Sequence, residues 1–210
     1  MKTNLFITGT DTSVGKTVLC ALLTAALDAT YWKPVQSGAV EGTDRDAVCR
    51  WAEVPREKTL EECYCFDPGV SPHLAARQAG VRIDLHRIQL PALDRGGRVI
   101  AEGAGGILTP LNETETMLDL AVRLQFPVIV AAKTALGTIN HTLLTLRALR
   151  AAGKEALGVV MLGPENLENR LAIERYGKIP VIGYVPWLPS INRNRLVEVF
   201  QSNFEKSYFV

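Results

Sequence analysis

Residues Gly9-Thr10-Asp11-Thr12-Ser13-Val14-Gly15-Lys16-Thr17 follow directly on the apolar run Leu5-Phe6-Ile7 and lead straight into the helix-like stretch Val18-Leu19-Cys20-Ala21-Leu22-Leu23. A strand, a glycine-bearing loop ending in Gly-Lys-Thr and a helix make a phosphate cradle, because backbone N–H groups and the helix N-terminus all face an anion. Lys16 is then placed to reach the β- and γ-phosphates of a nucleotide, and the Thr17 hydroxyl to ligate Mg²⁺. The pattern points to a nucleoside triphosphate. Its strict form puts four residues between the glycines, whereas Gly9 and Gly15 are separated by five and Thr10 stands where the first glycine is expected. A chance Gly-Lys-Thr in an exposed turn is the plain alternative, and the flanking strand and helix argue against it.

The rest of the chain alternates in the same way. Candidate strands lie near 4–8, 30–34, 98–102, 127–132, 157–162 and 181–185, several of them continuous apolar runs, as parallel strands buried on both faces are. Helix-like segments lie near 16–28, 44–53, 73–79, 84–94, 117–124, 138–152, 167–176 and 192–203. This order predicts a three-layer α/β fold, a mainly parallel sheet with helices on both faces. Asn140-His141-Thr142 opens a run carrying Leu143, Leu144, Leu146 and Leu149, with Gly153 where a helix would be capped. Pro127 and Pro180 each precede an apolar strand, where no central ladder bond is lost. With no repeats, low-complexity tracts or linkers, residues 1–210 read as one domain, long enough for a sizeable core.

A hydrophobic fraction of 47% with 21% charged residues is the balance of a soluble globular protein. The formal net charge of +1 supplies no field for nucleic acid or an anionic membrane, and Arg193-Asn194-Arg195 is too short a cluster to alter that. Val128-Ile129-Val130-Ala131-Ala132 stops at Lys133, far short of the ~18 apolar residues of a membrane span. One lysine and a very short apolar stretch before Asp11 do not make a secretory leader. A cytoplasmic protein is expected. Cys63 and Cys65 are two apart, Cys20 and Cys49 are distant, and no spacing suggests zinc. Free thiols are expected, with Cys20 buried on a helix face.

In such a sheet ligands bind beyond the carboxyl ends of the strands. The segments there are the phosphate loop, Lys33-Pro34-Val35-Gln36-Ser37-Gly38, Glu102-Gly103-Ala104-Gly105-Gly106, Lys133 to Gly137, and Val185-Pro186-Trp187-Leu188. Together they resemble the dethiobiotin synthetase family of phosphate-loop NTPases, whose signature Gly-Thr-Asp-Thr-x-Val-Gly-Lys-Thr residues 9–17 match, including the offset glycine. Lys33-Pro34-Val35-x-Ser37-Gly38, Ser71-Pro72-His73, Glu102 to Gly106, Gly137-x-Ile139-Asn140-His141 and Pro186-Trp187-Leu188 continue the match in order to about residue 190.

The resemblance implies an ATP-dependent ring closure in biotin synthesis: 7,8-diaminononanoate, CO₂ and ATP give dethiobiotin, ADP and phosphate through a carbamate and a carbamic–phosphoric anhydride. It implies Lys33 and Lys16 as catalytic groups. Nucleotide contacts fall on Ser13, Val14, Gly15, Lys16, Thr17, Val18, Asp46, Glu102, Gly103, Ala104, Gly105, Pro186, Trp187 and Leu188, and substrate contacts on Thr10, Ser37, Gly137 and Asn140. Thr17, Asp46 and Glu102 carry over as Mg²⁺ ligands. The segment Leu136 to Asn140 resembles a loop that reaches a neighbouring subunit's site, which implies a homodimer.

The residue types suit this chemistry. Phosphoryl transfer between anions depends on positioning and charge neutralisation, so lysines beside the γ-phosphate are the expected catalysts. A snorkelling surface lysine is the plain alternative for Lys33, and a turn serine for Ser37. Glu102 ends an apolar run, where an uncompensated carboxylate is costly, so a metal explains it better than solvent does. Asp44 lies two residues from Asp46 and either could be solvated; Arg45-Asp46-Ala47 fits the family's phrase better and favours Asp46. Gly103 to Gly106 allow a close backbone approach to phosphate, or simply a tight turn. His73, His86 and His141 read as packing residues.

One departure concerns the base. Many members of the family place Asn-Asp after the penultimate strand to read adenine, and this chain has Leu162-Gly163. Leucine lacks the amide's paired donor and acceptor, so weak base discrimination is expected. Two rival classes fit less well. Partitioning-type ATPase switches carry a lysine near the start of the loop, where Thr10-Asp11 stand, and a guanine-reading module needs an aspartate at Ala135.

Overall fold

The computed structural model describes residues 3–91 and 97–210. Among the described residues seven strands form one sheet in the order β4-β2-β6-β1-β7-β8-β9, with every pairing parallel. They are β1 (Leu5–Gly9), β2 (Thr30–Trp32), β4 (Thr59–Leu60), β6 (Val99–Gly106), β7 (Val128–Lys133), β8 (Ala156–Leu162) and β9 (Val181–Val185). Two further three-residue strands, β3 (Val35–Ser37) and β5 (Tyr64–Phe66), pair with each other.

Alternation along each strand divides the apolar runs between two cores. Leu5, Ile7, Tyr31, Ile100, Ile129, Val160 and Ile182 face one side, with α1 (Lys16–Leu27), α2 (Asp44–Ala52) and α7 (Arg193–Asn203). Phe6, Trp32, Val99, Ala101, Val128, Val130 and Val159 face the other, with α3 (Pro72–Gln78), α4 (Met117–Leu124), α5 (Thr138–Ala151) and α6 (Leu167–Gly177). The three-layer expectation therefore holds, and β1 sits at its centre with a helix-covered face on each side.

This parity positions the site. Tyr31 and Lys33 are two residues apart on the α1 side of β2 and its extension, and Ile100 and Glu102 are two apart on the same side of β6. Thr17 comes down from α1 itself, and α2 packs against α1. Four separate segments thus deliver polar groups to one spot at the carboxyl end of the sheet.

Some local expectations differ. β6 runs through Gly106, so Glu102 is a mid-strand residue; the pairing with β1 shifts between Ile7↔Glu102 and Gly9↔Gly106, and the strand continues past that irregularity. Of the helix expected near 84–94, the described part holds one 3-10 turn, Leu85–Arg87, and residues 92–96 lie outside the described residues. Asp84 caps that turn through the His86 N–H, while Leu85 and Ile88 drop into the core. In α5, Leu144 is exposed while Thr142 and Thr145 are buried with Leu146 and Leu149. The Thr145 hydroxyl donates to the His141 carbonyl at 2.9 Å, which lets a polar side chain sit on the inner face.

Candidate active site

The loop from Gly9 to Thr17 owes its shape to both glycines, for different reasons. Gly15 caps α1 with φ +96°, a conformation that reserves the position for glycine, and a Cβ there would also meet Leu162 Cδ2 at 2.7 Å, so that side chain would have to shift. Gly9 is the last residue of β1, where a Cβ would come within 2.7 Å of the Asp11 carbonyl and 2.9 Å of Lys16 Nζ. Thr10 carries no such restriction, and its N–H donates to the Ala131 carbonyl. The offset of the first glycine follows: the close approach falls on residue 9.

Lys16 is buried and its Nζ donates to the Asp11 carbonyl at 3.0 Å, folded back across the loop. Burial lowers its pKa, against the pull of Glu102, and the Lys33 charge lowers it further. Glu102, 1% exposed, is the hub. Its Oε1 accepts from Thr17 Oγ1 at 3.0 Å and from Lys33 Nζ at 3.1 Å, and its Oε2 accepts from Tyr31 Oη at 2.9 Å. Lys33 Nζ also pairs with Asp44 Oδ2 in the first turn of α2. Burial works to lower the Lys33 pKa, but the Glu102 and Asp44 carboxylates outweigh it and the net shift is upward. Lys33 is therefore an ammonium fixed between two carboxylates. At an effective dielectric near 20, each such contact at ~4 Å is worth roughly 4 kcal/mol before desolvation is subtracted.

These groups line a cleft of ≈ 460 Å³ that includes Thr12, Ser13, Lys16, Thr17, Lys33, Ser37, Asp44, Glu102, Ala104 and Gly105. Asp46 is not among them. Its carboxylate accepts from the Thr43 N–H and hydroxyl, closing a capping box at the start of α2, and from Arg56 Nη1 at 2.8 Å. The Thr43 hydrogen bonds, then Arg56, hold its pKa below the usual carboxylate value. In the structure it is Asp44, and not the expected Asp46, that reaches the cleft, while Thr43-x-x-Asp46 forms a helix-start device.

A second cleft of ≈ 450 Å³ adjoins the first through Ser13, Gly15 and Val18. Its walls are Val14, Leu162, Pro164, Val185, Pro186, Trp187, Leu188 and Ile191, with Lys133 and Thr134 at one side. Around Gly163 the backbone groups are engaged. Gly163 N–H donates to the Val185 carbonyl, Gly163 O accepts from Tyr184 Oη, and Leu162 O accepts from the Thr134 N–H. Trp187 is 83% exposed over this cleft.

The remaining expected residues divide. Gly103 faces the core, where a Cβ would meet Phe6 at 3.1 Å and Met117 at 3.3 Å. Thr10, Gly137 and Asn140 line neither cleft; Leu136, in the turn after β7, and Asn140, in the first turn of α5, are exposed. Sequence reasoning missed Tyr31 and Gln36, whose Oε1 accepts from the Asp44 N–H at 3.2 Å. The i, i+2 spacing of Tyr31 and Lys33 puts both on one face of a strand but does not say what they meet. Among the described residues, no helix is long and apolar enough to cross a membrane.

Comparison with known proteins places the chain among relatives matched over nearly its whole length. A family model described as an AAA domain matches residues 3–195. The ATP-dependent dethiobiotin synthetase BioD of Rhodopseudomonas palustris (strain HaA2) is 45% identical over 206 residues, covering 98% of this chain and 96% of the relative. That of Agrobacterium fabrum is 43% identical over 210 residues, covering 100% and 98%. A ParA family ATPase from Chlorobium tepidum shares the fold at TM-score 0.57 and 12% identity, over 96% of this chain and 90% of that one. With full-length relatives at this level of identity, the chain belongs to the ATP-dependent dethiobiotin synthetase family.

Proposed function

We propose that this chain, as a single domain, closes the ureido ring of dethiobiotin from 7,8-diaminononanoate and CO₂, converting ATP to ADP and phosphate. One amine of the substrate takes up CO₂ as a carbamate and loses a proton. A carbamate oxygen attacks the γ-phosphorus and ADP leaves, giving a mixed anhydride. The second amine then attacks the carbamoyl carbon and expels phosphate.

The observation that carries this reading is Lys33, buried beside the phosphate loop and held by Glu102 and Asp44. Its raised pKa keeps it charged, so it acts as a fixed cation and not as a base. A cation at that place offsets the repulsion between carbamate and γ-phosphate and costs little reorganisation during the reaction. Lys16 supplies the second charge once it leaves the Asp11 carbonyl for the nucleotide. Ser37, on the cleft wall, is the substrate-side hydrogen-bonding group.

Thr17, Glu102 and Asp44 offer a hydroxyl and two carboxylates within one cleft, a hard-oxygen donor set that fits Mg²⁺. When bound, Mg²⁺ neutralises charge on the β- and γ-phosphates. Lys33 would then exchange part of its contact with the carboxylates for the substrate anions. The segment from Leu136 to Asn140, which exposes Leu136 and Asn140 where α5 begins, is read as the part that reaches a partner's site in a cytoplasmic homodimer. Phosphate release that requires both the diamine and bicarbonate tests the assignment; nucleotide hydrolysis independent of both would overturn it in favour of an ATPase switch.

A further inference from the structure

We propose that Tyr31 is a positioning residue for Glu102: its hydroxyl ties down one carboxylate oxygen so that the other is presented to Thr17, Lys33 and the divalent cation. The inference rests on the metal reading of Glu102 given above. Tyr31 is fully buried and lines neither cleft, so any influence on the reaction passes through another residue. Its backbone is fixed by pairing with Thr59 on one side and Ile100 on the other. The phenol therefore has a position set by the sheet, and its hydroxyl donates to Glu102 Oε2 at 2.9 Å.

The geometry divides the carboxylate into two jobs. Oε1 meets Thr17 and Lys33, the groups of the cleft, whereas Oε2 meets Tyr31 on the core side. A terminal carboxylate torsion is broad and roughly two-fold, so without the phenol the orientation about the last bond rests on the Thr17 and Lys33 contacts to Oε1 alone, the contacts that a cation and substrate compete for. Hydrogen bonds from such outer partners set ligand orientation, and losing one typically costs about 10- to 100-fold in metal affinity. A space-filling core tyrosine is the competing explanation, and a phenylalanine in its place separates the two because the ring stays and only the hydroxyl goes.

The experiment compares wild type, Tyr31→Phe, Glu102→Gln and the double variant. Mn²⁺ affinity in the presence of ADP is read by electron paramagnetic resonance, and ADP affinity without metal by calorimetry. For Tyr31→Phe the Mn²⁺ affinity is expected to fall about tenfold, while metal-free ADP affinity stays within about twofold and so reports an intact phosphate loop. The double variant is expected to bind Mn²⁺ no more weakly than Glu102→Gln alone, because a residue acting through Glu102 has nothing left to act on. A Tyr31→Phe affinity equal to wild type beside a weakened Glu102→Gln overturns the inference, as do losses that add in the double variant. If Glu102→Gln itself leaves Mn²⁺ affinity unchanged, the metal reading fails and the inference falls with it.

Discussion

The two clefts beside the phosphate loop are nearly equal in volume, ≈ 460 and ≈ 450 Å³, and opposite in chemistry. In one, buried Lys33 and Glu102 are wired to each other and to Thr17, Asp44 and Tyr31, with buried Lys16 folded back on the Asp11 carbonyl beside them. In the other, Val14, Leu162, Val185, Pro186 and Leu188 present hydrocarbon. Fixed charges discriminate by sign and geometry, while apolar walls reward contact area of almost any shape. Under the proposed function the difference assigns the ordered polar groups to the phosphates and the reacting carbamate, and leaves the base to less directional contact.

The largest effect should come from the charged side. Lys33→Ala is expected to lower substrate-dependent phosphate release by about 10²- to 10³-fold, the scale for removing one preorganised charge-stabilising group. ADP binding should survive, because Lys16 and the loop backbone are untouched. Steady-state rates with diaminononanoate and bicarbonate, beside calorimetric ADP titration, measure both. A variant that keeps a tenth of its turnover would break the contrast, since the wired cleft would then matter little more than the apolar one.

The next test sharpens the contrast within α2. Asp44→Asn should weaken Mg²⁺-dependent nucleotide binding by about 10- to 100-fold. Asp46→Asn should leave it within about twofold and instead cost on the order of 1 kcal/mol of stability through the weakened capping box. The pH dependence separates them further. The Asp46 pKa is depressed in the folded chain by Thr43 and then Arg56, so its stabilisation is present above the unfolded value near 4 and is lost as pH falls through the lower folded value. Thermal melts of wild type and Asp46→Asn should therefore converge in acid. Equal metal effects from both substitutions would return Asp46 to the site.

How much could be read beforehand follows from whether a local signal decides. The phosphate loop was legible because its chemistry fixes a spacing, and the layer order because β1, β6, β7, β8 and β9 each contain a short, mainly apolar run with helical patterns between them. Glu102 and Lys33 were legible through the family resemblance. Asp46 was favoured by resemblance to a phrase, whereas Thr43-x-x-Asp46 also carries the capping signal that the structure realises, with Asp44 on the cleft. Tyr31 was out of reach for another reason: that it meets Glu102 depends on the register Tyr31↔Ile100, a pairing between strands far apart in sequence. The pair β3 and β5, three residues each, is too short for periodicity to register.

The smallest effect belongs to the apolar cleft, and it tests the other half of the contrast. Gly163 has both backbone groups engaged and Pro164 and Pro186 have no N–H, so the wall around Leu162 offers a base edge few directional partners. Apolar pockets discriminate by only about 10- to 200-fold, whereas sites built to hydrogen-bond one ligand reject its analogue by about 10⁴ or more. Initial rates with ATP, CTP, GTP and UTP should accordingly give kcat/KM values within about one order of magnitude of each other. Leu162→Asn, which restores a paired donor and acceptor, should raise the ATP preference several-fold while leaving the Lys33-dependent step unchanged. A wild-type preference for ATP beyond about 10³-fold would show instead that the Trp187 or Leu188 N–H, or the Trp187 indole, reads the base, and that the apolar cleft is more directional than its side chains imply.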